Sequence, residues 1–256
     1  MKKIHQTEIE YVKCFSEHYE DESIIRFEDD LIRDMYSHNL TYIKKDMPDE
    51  AFRRILQSEW KRSAEKGRSF LNIQFDFPFR DSLIDLLDIR PREINTYDYY
   101  GFPLETFPGM KTREDCTLRK LEHSILEEAA ELDHLVNGED LDDDFSRRRF
   151  ERRSQVYLKP GMVDNYLLFS DHQAIGHCDL FIHGEVAKIE DFDIAPHMQR
   201  KGFGSAMLKE IIKVALNSNA ETIYLITDHA ETAKEMYEKC GMIKLGAKTE
   251  MMFSIS

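Results

Sequence analysis

The segment from Ile189 to Met207, IEDFDIAPHMQRKGFGSAM, constrains the fold of this chain more than any other. It reads as an apolar strand that ends before Pro196, followed by Gly202 and Gly204 at the start of a helix. Glycines at such a turn let backbone N–H groups approach a phosphate, and the helix N-terminus adds a partial positive charge. The segment therefore predicts an anion-binding loop between a strand and a helix.

Two common phosphate-binding motifs do not fit this loop. A dinucleotide-binding fingerprint needs a third glycine where the chain has Met207, and the P-loop pattern G-x-x-x-x-G-K-[ST] is absent from the sequence. A plain tight turn before a helix is the alternative that the glycines alone leave open. Arg200 and Lys201 stand beside them as cations that would screen a bound phosphate.

Hydrophobic periodicity around the loop predicts an α/β fold with a mixed, mostly antiparallel sheet flanked by helices. The expected strands are 117–122, 165–170, 174–182, 186–194, 222–227 and 242–253, and the expected helices are 124–136, 145–157, 203–216 and 232–239. Short turns between the second, third and fourth of these strands indicate an antiparallel meander. Gly241 is expected to end the last helix as its C-cap.

The N-terminal half carries a fainter copy of this pattern. Helices at 49–65 and 81–87 alternate with strands at 70–75 and 93–99, in the same order as the last four elements of the chain. This order favours a degenerate internal repeat and a tandem arrangement. We expect one domain over residues 1–110 and a second over residues 111–256, with the boundary in the turn-rich segment 101–112.

Three motifs in the second domain follow one another in a recognisable order. They are Glu190-x-Phe192-x-Ile194-x-Pro196, then Gln199-x-x-Gly202-x-Gly204, then Ala233-x-x-x-Tyr237-x-Lys239-x-Gly241-Met242. Together they resemble the GNAT superfamily of acetyl-CoA-dependent N-acyltransferases, in which Phe is usual at the position of Met242. The resemblance covers roughly residues 117–256. It implies the GNAT fold, with a catalytic domain at 111–256 and a degenerate GNAT-like domain at 1–110.

The resemblance also implies an activity. A GNAT acetyltransferase passes an acetyl group from acetyl-CoA, its co-substrate, to the primary amine of a small molecule or peptide by direct attack on the thioester. No metal is expected. The residues implied in binding acetyl-CoA are Phe192, Asp193, Ile194, Gln199, Arg200, Lys201, Gly202, Phe203, Gly204, Ser205 and Tyr237.

Catalytic roles follow from the same resemblance. Tyr237 matches the family's proton donor to the thiolate leaving group, and a backbone N–H at Phe192 or Ile194 would hold the oxyanion. Glu190 is the expected general base, because strand alternation places it on the face of Phe192 and Ile194 and places Asp193 on the other face.

One departure from the family pattern favours an alternative. Ala230 stands where family members often carry an Asn that holds the pantetheine arm. The alternative function is a non-catalytic acyl-CoA-binding or regulatory module with the GNAT fold.

Composition sets limits on partners and location. The net charge of −14 disfavours nucleic acid and anionic membranes and suits a cationic or neutral partner. The chain shows neither a long apolar run nor a signal peptide, so we expect a cytoplasmic protein without a membrane partner. A homodimer is an arrangement that the sequence leaves open.

The other notable charged residues and histidines are assigned structural roles rather than functional ones. Asp140, Asp142 and Asp144 have the spacing of a calcium loop, but Phe145 replaces its essential glycine, so an acidic helix start is expected. The arginines of 147–149 and 152–153 are expected to form one solvated helix face. The histidines His172, His177 and His183 lack a metal-ligand spacing and are read as ordinary polar residues.

Overall fold

The helices and strands follow the periodicity of the sequence closely from residue 117 onward and in part of the N-terminal half. They are seen in a computed structural model that describes residues 1–86, 88–111, 113–137, 142–230 and 233–255. Leu87, Thr112, Asp140 and Thr232, which belong to predicted elements or motifs, lie outside the described residues.

The helices are α1 (Lys2–Lys13), α2 (Asp49–Glu65), α3 (Ser82–Leu86), α4 (Leu126–Asn137), α5 (Asp143–Tyr157), α6 (Phe203–Asn217) and α7 (Ala233–Lys239). The strands are β1 (Glu17–Glu20), β2 (Ile24–Glu28), β3 (Thr41–Ile43), β4 (Phe70–Phe75), β5 (Glu93–Gly101), β6 (Thr117–Lys120), β7 (Asp164–Ser170), β8 (Gln173–His183), β9 (Val186–Ile194), β10 (Thr222–Asp228) and β11 (Ile243–Ser254). Short 3-10 turns lie at Leu104–Gly109, His123–Ile125 and Pro196–Met198.

Two compact units make up the chain. The first consists of Met1–Cys14, Tyr99–Thr227 and Glu231–Leu245, and the second of Phe15–Asp98, Asp228–Ala230 and Gly246–Ser256. These units differ from the predicted ranges 1–110 and 111–256, because α1 belongs to the first unit and the end of β11 to the second. The predicted ranges stay a prediction about separately folding domains.

The first unit contains strands in the order β10-β9-β8-β7-β6. Strands β6 to β9 pair antiparallel, as the predicted meander requires, and β9 pairs with β10 in parallel. Helix α6 packs on one face through the apolar stripe that the sequence predicts, which is Met207, Leu208, Ile211, Ile212 and Ala215, all fully buried. The other face carries α1, α4 and α5.

The second unit contains strands in the order β1-β2-β3-β4-β11-β5. Its β3 and β4 are parallel, and Thr249–Ser254 of β11 pairs antiparallel with β4. Phe52 and Leu56 of α2 pack on Ile73 and Phe75 of β4. Helix 49–65 and strand 70–75 match the prediction, and the mixed, mostly antiparallel α/β architecture is confirmed.

Helix α1 was missed because its buried stripe is largely polar. Ile4, Thr7, Glu8 and Tyr11 are its buried residues and have helical spacing, but only two of them are hydrophobic. Hydrophobic periodicity therefore gives little signal here. Across the described ranges, none of the helices combines the length and apolar character needed to span a bilayer.

Candidate active site

The strand that precedes the glycine loop contains a bulge at Asp191. Along β8 and β9 the register passes from Asp179↔Glu190 to His177↔Asp193, so β9 carries one residue more than β8 over this interval. Asp191 has a φ of 52°, which a non-glycine residue rarely adopts in a regular strand. The extra residue resets the alternation of side chains along β9.

Because of this extra residue, the side chains that share a face of β9 differ from those that regular alternation predicts. Ile189 and Phe192 both belong to the core cluster beside α6 and α7. Glu190 lies on the opposite face, where its carboxylate is 2.9 Å from the Lys188 ammonium. The predicted placement of Glu190 on the face of Phe192 is therefore wrong, because the bulge adds a residue between them. Asp193, expected on the face away from Glu190, shares that face instead and interacts electrostatically with α4 and α5.

Strand β9 also separates from β10 at the bulge. The parallel pairing between them joins Val186–Ile189 to Thr222–Leu225 and includes no later residue of the described β9. Backbone groups of β9 from Glu190 to Ile194, on the edge that points toward β10, therefore lie outside the hydrogen-bonded pairing of these two strands. We call this segment the open edge of β9. Unpaired strand groups of this kind are ready to bind an extended ligand or a developing negative charge.

The glycine loop ends this open edge. Gly202 precedes α6 with a φ of 87°, in the left-handed region that glycine adopts without strain. Among the described residues no side chain caps the N-terminus of α6. The first N–H groups of a helix have no partner within the helix, so this end offers free donors and a partial positive charge. Binding of an anion at this helix end stays a prediction.

Close packing explains the second glycine and the glutamine of the motif. A Cβ on Gly204 would lie 2.7 Å from the Met236 sulfur, so a larger residue would require that side chain to move. The Gln199 amide donates a hydrogen bond to the Ile194 carbonyl at 3.0 Å. This bond ties the loop to the end of β9.

The remaining predicted loop residues differ in what they can present to a ligand. Arg200 and Lys201 are exposed, and Arg200 has a φ of 58°. Ser205 is half-buried and Phe203 is buried in the core cluster. Phe203 and Ile194 can therefore contribute backbone groups, while the two basic residues and Ser205 can also contribute side chains.

Arg113 is a loop cation that the sequence reasoning missed. Its guanidinium donates to the Lys201 carbonyl at 2.5 Å and lies 4.0 Å from the centre of the Phe203 ring. It also pairs with Asp115 at 2.5 Å. No motif marks Arg113, because it lies 88 residues before the loop in sequence.

Tyr237 packs beside the open edge of β9. It is 5% exposed, and its ring meets that of Phe192 edge to face with centroids 6.1 Å apart. Gly241 ends α7 with a φ of 92°, and the Met242 N–H donates to the Tyr237 carbonyl at 3.0 Å. This confirms the predicted C-cap.

A buried ion pair lies against β9, on the face opposite Phe192. The Lys188 ammonium contacts the carboxylates of Glu8 on α1 and Glu190 on β9, and it is also 4.6 Å from the centre of the Tyr11 ring. Burial alone would lower the pKa of Lys188, but Glu190 and Glu8 outweigh it and raise that pKa. The lysine is therefore a fixed cation beside Glu190.

The arginines of α5 are not one solvated face. Arg149 and Arg153 are buried, because their helical spacing turns both toward the sheet. Arg149 donates to Asp133 at 2.6 Å and to both oxygens of Asp191 at 2.7 and 2.8 Å. Burial would raise the pKa of Asp191, but the two guanidiniums outweigh it and hold that pKa well below its usual range. Arg153 also donates to Asp179 at 2.6 Å.

His177 is not an ordinary surface residue. It is 5% exposed, and its Nε2 has no hydrogen-bond partner among the described residues. The side-chain ligand atoms of His177, Asp133 and Asp191 lie within 4.8 Å of one another. Burial raises the pKa of Asp193, while His177 opposes the rise. Sequence spacing could not reveal this group, because its members come from α4, β8 and β9.

The acidic start of α5 has the predicted helical role. The Asp142 carboxylate accepts from the N–H groups of Asp144 and Phe145 and so caps the helix. Asp144 in turn pairs with Arg147 and Arg148.

Comparison with known proteins decides the family. Residues 125–242 match the Acetyltransferase (GNAT) family. The Uncharacterized N-acetyltransferase CgeE of Bacillus subtilis (strain 168) is 33% identical over 93 residues, which are 34% of this chain and 36% of that protein. The Glucosamine 6-phosphate N-acetyltransferase of Schizosaccharomyces pombe is 30% identical over 92 residues, which are 33% of this chain and 81% of that protein. The chain belongs to the GNAT acetyltransferase family.

Solved structures extend the likeness of this GNAT protein to nearly its whole length. A functionally unknown conserved protein from Staphylococcus epidermidis ATCC 12228 has a TM-score of 0.79 at 15% identity and covers 94% of this chain and 95% of that chain. A tandem GNAT protein from the clavulanic acid biosynthesis pathway has a TM-score of 0.61 at 8% identity, covering 90% and 78%. At these identities the likeness shows the fold.

The predicted GNAT fold and the N-acetyltransferase class are therefore confirmed at the level of the family. The match covers only 36% of the first relative's length, so the activity of the whole GNAT protein is a matter for proposal. The individual roles of the site residues stay predictions.

Proposed function

We propose that this protein transfers an acetyl group from acetyl-CoA to a primary amine. The observation that carries the proposal is the continuity of the open edge of β9, from Glu190 to Ile194, with the uncapped N-terminus of α6 at Gly202. An extended chain with a pyrophosphate at one end and a thioester at the other fits such a surface. Family membership supports acetyl-CoA as that ligand.

The loop residues would hold the co-substrate. The N–H groups around Gly202, Phe203 and Gly204 would bind its pyrophosphate, with the exposed cations Arg200 and Lys201 as counter-charges. A side chain at Gly204 would meet Met236 of α7, so glycine there lets the start of α6 pack closely against α7. Acetyl-CoA supplies the activated acetyl thioester when it is bound.

Groups of β9 and α7 would act on the reaction. A backbone N–H at Phe192 or Ile194 stabilises negative charge on the acetyl carbonyl oxygen, because this edge of β9 has no strand partner. Tyr237, packed against Phe192, donates a proton to the departing thiolate. A carboxylate on the opposite face of β9, which carries Glu190, Asp191 and Asp193, would accept the proton of the amine.

The N-terminal half is proposed to be a degenerate GNAT-like repeat. Helix α2, strand β4, helix α3 and strand β5 reproduce the order of α6, β10, α7 and β11. The turn before α2 lacks the glycines found before α6, so we propose that only the later loop, in the domain at 111–256, binds acetyl-CoA. A cytoplasmic location, the absence of nucleic-acid, membrane and metal partners, and a homodimer remain predictions.

The experiment that tests the proposal measures binding and turnover separately. Acetyl-CoA is titrated into the protein by calorimetry, and release of free CoA is then followed with polyamines, amino acids, aminoglycosides, peptides and glucosamine 6-phosphate. The last compound is included because the Schizosaccharomyces pombe relative is named for it. Binding with amine-dependent CoA release supports the proposal. Binding without release for any amine supports the alternative, a non-catalytic acyl-CoA-binding module.

A further inference from the structure

The bulge places three carboxylates on the face of β9 that carries α1, α4 and α5, and two of them are already engaged by cations. Glu190 is held by the Lys188 ammonium. Both carboxylate oxygens of Asp191 accept hydrogen bonds from the Nη2 group of Arg149. A carboxylate paired with a fixed buried cation is a weak proton acceptor, because protonation would leave the cation without its counter-charge.

Asp193 differs from the other two carboxylates, Glu190 and Asp191. Within the described chain its carboxylate has no hydrogen bond or ion pair, and burial raises its pKa. It lies directly opposite His177 in the antiparallel register, so the two side chains share a face at close range. Asp193 also adjoins Ile194, whose backbone borders the edge proposed for the acetyl group.

A cavity of about 10 Å³ opens beside His177. Its lining includes Asp133, His177 and Asp191. His177 Nε2 and Asp133 Oδ2 are both buried without a hydrogen-bond partner in the described part of the chain. This volume is close to the roughly 10–15 Å³ that one water molecule needs, and a buried water binds where polar groups lack partners.

A metal ion suits this cavity less well than water. Arg149 occupies both oxygens of Asp191 and one oxygen of Asp133. Asp133 Oδ2 and His177 Nε2 are the two side-chain atoms of this described cluster that lack a hydrogen-bond partner. A divalent cation here would stand beside the buried Arg149 guanidinium, which repels it, whereas a water can bridge the same two atoms.

The cavity shares two lining residues with a groove that is open to solvent. Asp133 and Phe150 line it and also line a groove of about 660 Å³ between α4 and α5. Glu127 and Asp143 line the groove as well, and Arg147 there is paired with Glu151. A proton that reaches Asp133 would therefore find further carboxylates along the groove, which favour the presence of a cation.

We propose that Asp193 accepts the proton of the acceptor amine, and that His177, one cavity water and Asp133 relay this proton to the groove between α4 and α5. The inference rests on the proposed acetyl transfer. The N–H bond of the ammonium breaks as an O–H bond forms on Asp193, and the freed nitrogen lone pair attacks the acetyl carbonyl. Asp193 then gives the proton to the imidazole of His177, which passes it through the water to solvent. Asp193 is the catalytic residue and His177 is its relay.

The charged and titratable groups around this pair decide how it responds to pH. They are Asp133 on α4, Arg149, Arg153 and Tyr157 on α5, and Asp179 and Asp191 on the strands. The arginines stay charged at all accessible pH values. The rate should therefore fall as pH drops through the pKa of Asp193, because the protonated carboxyl can no longer accept a proton.

The test compares Asp193→Asn and His177→Gln with matched controls in the full-length protein. Asp171→Asn, in the exposed turn between β7 and β8, and His183→Gln, at the exposed end of β8, are the controls. We expect Asp193→Asn to lower kcat/KM by about 10²-fold or more, the usual scale for a general base. Its pH profile should lose the plateau and follow the ionisation of the free amine. His177→Ala should regain activity when imidazole is added to the buffer.

A second measurement needs neither co-substrate nor turnover. Carboxyl ¹³C resonances of the aspartates are titrated by NMR in wild type and in His177→Gln. Asp193 should titrate above the ordinary aspartate range, and removal of His177 should move its pKa higher still, because His177 holds it down. An unchanged Asp193 titration would show that the two groups do not interact and would overturn the relay.

These measurements distinguish a wrong proton relay from a wrong assignment of acetyl transfer. If wild type releases no CoA with any amine, both proposals are wrong. If wild type is active and Asp193→Asn keeps its rate and pH profile, only the relay is wrong. A Glu190→Gln variant that alone loses the acid limb of the profile would likewise overturn the assignment to Asp193.

Discussion

Phe192 of β9 and Tyr237 of α7 meet edge to face, with ring centroids 6.1 Å apart and ring planes at 75°. The contact sets the phenol beside the part of β9 that has separated from β10. Aromatic pairs in this geometry add about 0.5–1.5 kcal/mol beyond burial of area. Packing against Phe192 therefore helps to hold the ring of Tyr237 in place.

Replacing Tyr237 with Phe should keep this packing and remove the hydroxyl alone. We expect the free energy of unfolding and the affinity for acetyl-CoA to change little, while kcat for CoA release falls by about 10²-fold. Tyr166→Phe, at a half-buried tyrosine of β7, is the control. An undiminished kcat in Tyr237→Phe would remove the proton-donor role.

Replacing Gly202 with Ala should weaken acetyl-CoA binding. Gly202 has a φ of 87°, and a Cβ in the left-handed region costs about 1–2 kcal/mol. Gly161 has a φ of 78° with open space around it, so Gly161→Ala carries the same backbone strain away from the loop. Both variants should lose similar stability in urea unfolding. Only Gly202→Ala should lose affinity in calorimetry, by about tenfold or 1.4 kcal/mol, because its Cβ would stand where the bound phosphate approaches the loop N–H groups. Equal affinities would contradict a binding role for the loop.

The Asp191 carboxylate should make stability depend on acid pH. Its pKa is held below the unfolded value of about 3.9, so its contribution is complete above that pH and is lost as pH falls through the lower, folded pKa. In Asp191→Asn, we expect a loss of about 3–5 kcal/mol at neutral pH, because Arg149 keeps its buried charge without this partner. The slope of unfolding free energy between about pH 4 and pH 2 should also become shallower. Asp144→Asn, an exposed aspartate on the same helix as Arg149, should change both quantities by much less, because its pairs with Arg147 and Arg148 are screened by solvent. An unaltered acid slope in Asp191→Asn would show that its carboxylate is not the linked group.

The Glu8 carboxylate should be essential to the stability of the first unit. It contacts the ammonium of Lys188, which is 3% exposed. Glu8→Gln should cost about 3–5 kcal/mol, since it removes one partner of a buried charge. Glu10→Gln, on the same helix and paired with Lys13 nearer the surface, should cost less than about 1 kcal/mol. Thermal unfolding of both variants measures the difference. Equal unfolding midpoints for Glu8→Gln and Glu10→Gln would show that Glu190 alone is a sufficient counter-charge for Lys188.

The sequence predicted the elements whose periodicity is hydrophobic. Strand β9 and helix α2 have the predicted bounds, because apolar residues fall at the spacing of each element. The glycine loop was predicted as well, since Gly202 is needed for a local backbone conformation that the chain itself encodes.

The face assignment of Glu190 and the burial of the α5 arginines could not be predicted in this way. A bulge depends on the register between two strands, which no local pattern in β9 reveals. Arg149 reads as a solvated residue until Asp133 and Asp191 are known to lie beside it. Long-range charge compensation therefore decides the burial of Arg149, while the register between β8 and β9 places Asp193 opposite His177.

Transfer of a labelled acetyl group tests the central claim most directly. The protein is incubated with isotope-labelled acetyl-CoA and an amine panel, and the amines are then analysed by mass spectrometry. We predict that a labelled acetylated amine forms with wild type and is strongly reduced with Gly202→Ala, while Gly161→Ala retains the activity. Tight acetyl-CoA binding with no labelled amine from any member of the panel would contradict the assignment of this protein as an amine acetyltransferase.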